Sequence, residues 1–154
     1  MKNYNGETIS GIPQLKKAEY GTGKTDRFGW PVVDWNYLSA HADNHGFDTR
    51  NTENNGKHII KYILPYGSII IRYGRETGYY SAPKGTSYDK LSLPYIPESL
   101  EYNEYKVVAD NLYIICIVDK GSVAPGFDSE GGAIQYLHPL TIKESVKKGM
   151  LERI

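Results

Sequence analysis

Ile59-Ile-Lys-Tyr-Ile-Leu64, Pro65-Tyr-Gly67 and Ser68-Ile-Ile-Ile-Arg72-Tyr73 are two β-rich segments around one turn, and the fold class follows from how they read. Both segments are dominated by isoleucine and tyrosine, residues that fit a pleated, half-buried surface, and proline and glycine punctuate the space between them. The spacing predicts an antiparallel pair joined at Pro65-Tyr-Gly67. Arg72 stands at the end of the second apolar run. A guanidinium set there needs an anion, so Arg72 is either half of an ion pair or a clamp for an anionic ligand.

Downstream the pattern continues. Tyr105-Lys-Val-Val108 and Leu112-Tyr-Ile-Ile-Cys-Ile-Val118 predict a second strand pair, its second member apolar throughout and therefore central. The chain's only cysteine, Cys116, lies inside that run and reads as a small buried hydrophobe that can form no intrachain disulfide. Pro94 and Pro97 keep the intervening stretch out of any central strand. A glycine-rich loop from Gly121 to Gly132 leads into Ala133-Ile-Gln-Tyr-Leu137, a strand in which Ala133, Gln135 and Leu137 share one face. The Gln135 amide thus points where apolar neighbours point, and neighbouring backbone is the plain way to satisfy it. Thr141 and Glu144 form a capping box and Gly149 a C-cap, which predicts one helix near the C-terminus.

The expected fold is an α+β single domain, β-rich, with a mostly antiparallel sheet core and few helices. Residues 1–29 read as an N-terminal arm or lead-in with a turn of helix near Pro13 to Tyr20, and residues 30–154 as the domain proper. A length of 154 residues is enough to bury a real core. Eighteen basic residues balance eighteen acidic ones, which argues against a nucleic-acid partner and against a membrane surface. The 14 tyrosines supply amphipathic rings suited to a planar polar ligand. The N-terminus lacks the apolar run of a signal peptide. Gly23-Lys24-Thr25 resembles the end of a phosphate loop, but Ala18 stands where the pattern needs glycine. His41, Asp43 and His45 have ligand chemistry without a second tightly spaced cluster, so no metal is expected.

The order of features is more specific than any one of them. Asn44-His-Gly46-Phe47, Arg72-Tyr73-Gly74, Pro83-Lys-Gly85-Thr86, Leu93-Pro94, Tyr105-Lys-Val107, Ala124-Pro125-Gly-Phe127, Gly131-Gly132 and Gln135-Tyr136 resemble, in that sequence, the tuberculosis necrotizing toxin domain family. The resemblance runs from about Asn44 to the C-terminus. Asp26-Arg27-Phe28-Gly29 looks even more like the family's Asp-Arg-Phe-Gly, but it lacks a preceding strand and stands too early relative to Pro83. Departures fall at Ile71, Gly126, Leu91 beside Lys90, and Asn103. They bear on the choice between NAD and NADP.

The resemblance implies an NAD(P)+ glycohydrolase that cleaves the nicotinamide–ribose bond, with NAD+ or NADP+ as substrate and no cofactor. It implies an antibacterial or cytotoxic effector, secreted or delivered, that acts in the target-cell cytoplasm and is neutralised by a cognate immunity protein. On the same basis Arg72 and Gln135 are the catalytic pair, Arg72 on the pyrophosphate and Gln135 on the nicotinamide ribose or the attacking water. Phe47, Tyr73, Gly74, Tyr80, Ser81, Thr86, Tyr88, Gly131 and Gly132 are the expected substrate contacts. Pyridinium is already a cationic leaving group, so its departure requires no general acid and no carboxylate dyad. An ADP-ribosyltransferase is the alternative enzyme, with Glu130 as its nearest candidate glutamate, and a tyrosine-rich binding module without activity is the alternative of another class.

Overall fold

In the computed structural model, which describes residues 1–109 and 115–154, the chain runs β1 (Gly21–Thr25), β2 (Pro31–Val33), β3 (Ile59–Ile63), β4 (Ile69–Tyr73), β5 (Tyr80–Pro83), β6 (Tyr102–Val107), β7 (Ile117–Ser122), β8 (Ile134–Leu137), α1 (Ile142–Lys147) and β9 (Leu151–Arg153). β1 and β2 form a hairpin of their own. The remaining strands make one sheet in the order β3-β7-β8-β5-β4-β6-β9, antiparallel at every pairing. This is the β-rich α+β architecture expected, with its helix near the C-terminus.

The places of β3, β4, β6, β7 and β8 were legible in outline, but β1, β2, β5 and β9 were not, and neither were the strand partners. β3 and β4 do not pair with each other: β3 lies at the sheet edge against β7, and β4 lies between β5 and β6. The turn between them explains the correction. Leu64 N–H goes on to the Cys116 carbonyl, extending the β3–β7 ladder, whereas Gly67 N–H donates to the Val107 carbonyl and Val107 N–H to Ser68. Pro65-Tyr-Gly67 therefore carries the chain from one part of the sheet to another instead of closing a hairpin. The second expected pair is also re-partnered, since β6 joins β4 and β9 while β7 joins β3 and β8. Leu112, Tyr113 and Ile114 of the expected central strand lie outside the described residues.

Alternation along the strands gives the sheet two different faces. On one face Ile70, Tyr105, Val107, Val118 and Tyr136 pack with Leu64, Cys116 and Leu151 against Ile142 of α1. Burial pushes the Cys116 thiol up to about 11, so it stays protonated at neutral pH. The helix starts as predicted: the Thr141 hydroxyl accepts from Glu144 N–H, the Glu144 carboxylate accepts from Thr141 N–H, and Gly149 follows at φ +78°.

The other face presents Ile71, Tyr73, Tyr80, Ala82 and Gln135, and the N-terminal segment covers it. Leu38 bridges to Gly126 and Phe47 to Val123. Tyr20, Val33 and Phe127 form a second small core there with Leu15, Leu38 and Tyr95 at its edge. The turn of helix expected near residues 13–20 is a short 3-10 segment at Ala18–Tyr20. Between cover and sheet a cavity of about 850 Å³ remains.

Candidate active site

Arg72 stands where the sheet comes apart. β4 and β5 pair at Ile70 with Pro83 and at Ile71 with Ala82, but the next β5 residues, Ser81 and Tyr80, pair with Tyr136 and Leu137 of β8. The guanidinium lies in the resulting gap. Its Nε donates to the Arg75 carbonyl at 2.7 Å and its Nη1 to the Tyr80 carbonyl at 2.9 Å. A Cβ on Gly78 would stand 1.8 Å from Nη2, and one on Gly74 would stand 3.2 Å from the same atom. Glycine at 78 is thus the space that the arginine occupies.

No carboxylate forms an ion pair with Arg72 among the described residues. Burial pulls its pKa down to about 10, so the group remains charged at neutral pH. A buried charge held by neutral carbonyls alone is incompletely compensated, and Nη2 has no protein acceptor among the described residues. Of the two sequence-level readings, the structural ion pair has no partner here. The arrangement suits an anion.

Gln135 sits on β8 opposite Gly121 of β7. Its Nε2 donates to the His45 carbonyl at 3.1 Å, so backbone does satisfy part of the amide, and its Oε1 has no protein donor among the described residues. The loop that supplies His45 is fixed from within. Asp43 Oδ1 accepts from His45 N–H at 2.8 Å and from Phe47 N–H at 3.0 Å, while Phe47 plugs the sheet against Gly121, where a Cβ would lie 2.6 Å from the ring. Phe47 is 0% exposed. Expected to stack on a ligand ring, it instead anchors the loop beneath the ligand space.

The cavity brings together Arg72, Tyr73, Gly74, Tyr80, Ser81 and Gln135 of the expected residues. It does not include Thr86, Tyr88, Gly131 or Gly132. The Thr86 hydroxyl donates to the Pro83 carbonyl and fixes the turn after β5. Tyr88 backs Tyr73 edge-on at 4.8 Å and donates its hydroxyl to the Tyr95 carbonyl at 2.5 Å. Gly131, at φ +69°, is pressed on the backbone of Val123 and Ala124, while Gly132, at φ +91°, is exposed. Both glycines shape the loop without reaching the cavity wall.

Three features escaped the sequence reading. Below Arg72, the Ser81 hydroxyl and His138 Nε2 are 2.7 Å apart, both residues buried. Burial, and then the Arg72 charge, lower His138 to about 4, so the ring is neutral, and its Nδ1 has no partner among the described residues. At the rim, Asp26-Arg27-Phe28-Gly29 folds as a tight turn, with Asp26 Oδ1 accepting from Phe28 N–H at 2.8 Å and Trp30 N–H at 2.9 Å. That turn sets Phe28 and Trp30 beside the Arg75 guanidinium, at 5.4 and 4.3 Å from the ring centroids, and all three line the cavity. Asp43, considered in the sequence only as a metal ligand, lines the same cavity. Nothing in a one-dimensional pattern announces any of these, since each depends on which loop crosses the sheet.

A family model described as tuberculosis necrotizing toxin matches residues 63–154. A solved structure of tuberculosis necrotizing toxin complexed with its immunity factor is similar at 19% sequence identity and a TM-score of 0.56, covering 99% of this chain and 95% of that one. The likeness is one of fold. No curated protein matches the chain.

Proposed function

The chain belongs to the tuberculosis necrotizing toxin family, and from that premise we propose that it is an NAD(P)+ glycohydrolase, releasing nicotinamide and ADP-ribose or its 2′-phosphate. The observation that carries the reading is Arg72: a half-buried guanidinium without a carboxylate partner, in one cavity with an amide whose carbonyl oxygen has no protein donor, both among the described residues. A cavity of about 850 Å³ falls in the range of small-molecule and cofactor sites. Arg72 holds the pyrophosphate through its free edge. Gln135 Oε1 receives a ribose hydroxyl or the attacking water, and Tyr73 and Tyr80 offer rings to the bases.

The chemistry asks little of the protein. The glycosidic electron pair leaves to the pyridinium nitrogen, neutralising it, so the site supplies orientation and a polarised setting for the cationic ribose. Glu130, the glutamate considered for ADP-ribose transfer, is exposed and stands outside the cavity wall, which favours water over a macromolecular acceptor. The protein acts as a delivered effector in the cytoplasm of a target cell, and its partner is a cognate immunity protein that occludes the cavity.

The test is direct. Purified protein mixed with NAD+ or NADP+ releases nicotinamide, and Arg72→Ala or Gln135→Ala abolishes the release while the circular dichroism spectrum is kept. Both dinucleotides surviving prolonged incubation with wild-type protein would overturn the assignment. Labelled NAD+ in a lysate separates hydrolysis from transfer, since only a transferase leaves label on macromolecules.

A further inference from the structure

The cavity carries charge of both signs: Arg72 and Arg75, with Asp26 on the rim turn that cradles Arg75, and Asp43 on the loop that meets Gln135. On one side Arg72 and Arg75 bring two guanidinium groups without carboxylate partners among the described residues. Gln135 lies two strands away: β4 pairs β5 and β5 pairs β8, which by strand spacing is about 10 Å. Asp43 belongs to the loop that meets Gln135 and lines the same cavity. That loop gives the His45 carbonyl to the Gln135 amide, and a Cβ on Gly46 would stand 3.7 Å from the same amide nitrogen. Tyr80, on β5 between β4 and β8, stands between Arg72 and Gln135.

An oxidised nicotinamide dinucleotide has the matching polarity, with an anionic pyrophosphate joined through ribose to a cationic pyridinium. Asp43 is also held as an electrostatic group should be. Oδ1 is pinned by two backbone N–H groups, and among the described residues Oδ2 meets only His58 Nε2, at 3.5 Å. Preorganised charge of this kind needs no rearrangement when the cation develops.

We propose that Asp43 is a catalytic residue of the glycohydrolase reaction, its carboxylate stabilising the ribosyl cation beside Gln135 while Arg72 holds the pyrophosphate at the opposite end. The proposal rests on the glycohydrolase reading above. In the step, the C1′–N bond breaks with its electron pair passing to nitrogen, which leaves as neutral nicotinamide. The positive charge then shared by C1′ and the ring oxygen faces the carboxylate. A water oxygen bonds to C1′, and the proton it sheds goes to Asp43 and on to solvent.

The experiment compares wild type with Asp43→Asn and Asp43→Ser. Both replacements keep an oxygen to accept from His45 and Phe47 N–H, so the loop retains its turn. Nicotinamide release is measured at saturating NAD+, and ADP-ribose binding by calorimetry, since ADP-ribose carries the pyrophosphate and no pyridinium. The expected result is a fall in kcat of about 100-fold or more, with ADP-ribose affinity within about twofold of wild type. The role of Asp43 is overturned if kcat stays within about threefold in both variants, or if ADP-ribose binding falls in proportion to kcat, as a merely structural residue would require. Wild-type protein that binds ADP-ribose but releases no nicotinamide overturns the hydrolase reading itself, and the step assigned to Asp43 with it.

Discussion

Arg72-Tyr73-Gly74 and Arg27-Phe28-Gly29 are the same word written twice, arginine, aromatic ring, glycine, yet the molecule treats them in opposite ways. Arg72 lies near the end of β4, is half-buried, and is held by two carbonyls in a space that Gly78 leaves open. Arg27 sits in an exposed turn capped by Asp26 and rests 4.7 Å from the Phe28 centroid. The difference teaches that a short motif acquires function from its supports: a strand that ends at the sheet's split, and a glycine four residues beyond the motif's own Gly74. The Asp26 motif is still not idle, because its turn places Phe28 and Trp30 at the cavity rim beside Arg75.

The contrast can be broken most severely at Gly78. Its φ is not in the left-handed region, so Gly78→Ala carries little backbone strain, yet the added methyl meets the Arg72 guanidinium at 1.8 Å. The expected outcome is a fall in kcat/KM of about 100- to 1,000-fold with the fold retained, and a double variant with Arg72→Ala no worse than Arg72→Ala alone, because both changes act on one interaction. Steady-state nicotinamide release by the two single variants and the double variant checks this.

The surroundings of Arg72, unlike the rim, carry a pH signature. His138 is lowered from 6.5 to about 4 in the folded protein, so the unfolded chain binds the extra proton between those values. Stability from this group is complete above about pH 6.5 and is lost as pH falls toward 4, by roughly 3 kcal/mol at most. Urea unfolding midpoints measured from pH 7.5 to 4.5 should fall accordingly, and His138→Gln should flatten that dependence. Smaller effects belong to the rim. Trp30→Ala removes one face of the Arg75 cradle and should weaken kcat/KM about five- to tenfold, whereas Arg27→Ala should leave it within about twofold.

Arg72, Tyr73, Gly74, Tyr80, Ser81 and Gln135, named from the family resemblance, line one cavity. Local signals alone, a strand end and an amide on an apolar face, leave structural readings open for Arg72 and Gln135. Relations between distant segments were not legible. Periodicity says which face a residue takes and nothing about the neighbouring strand, so β3 and β4 looked like a hairpin. Phe47 is expected among the substrate contacts because nothing local shows that Gly121 leaves it a slot in the sheet. Asp43 reads as a metal ligand because its neighbours in sequence are histidines, and nothing local shows that its loop meets Gln135 through the His45 carbonyl at the cavity wall.

β3 and β4 follow each other in the chain, yet β7, β8 and β5 lie between them in the sheet. Ile59 waits for Gly121 and Tyr105 for Arg153, so the main ladders close large loops before any hydrogen bond rewards the closure. Refolding belongs on the millisecond-to-second scale of non-local β topologies, not the microseconds of local ones. The cavity, walled from Asp26 to Gln135, exists only once the N-terminal cover has settled on a finished sheet. Activity regained after denaturation should therefore rise with the last phase of folding.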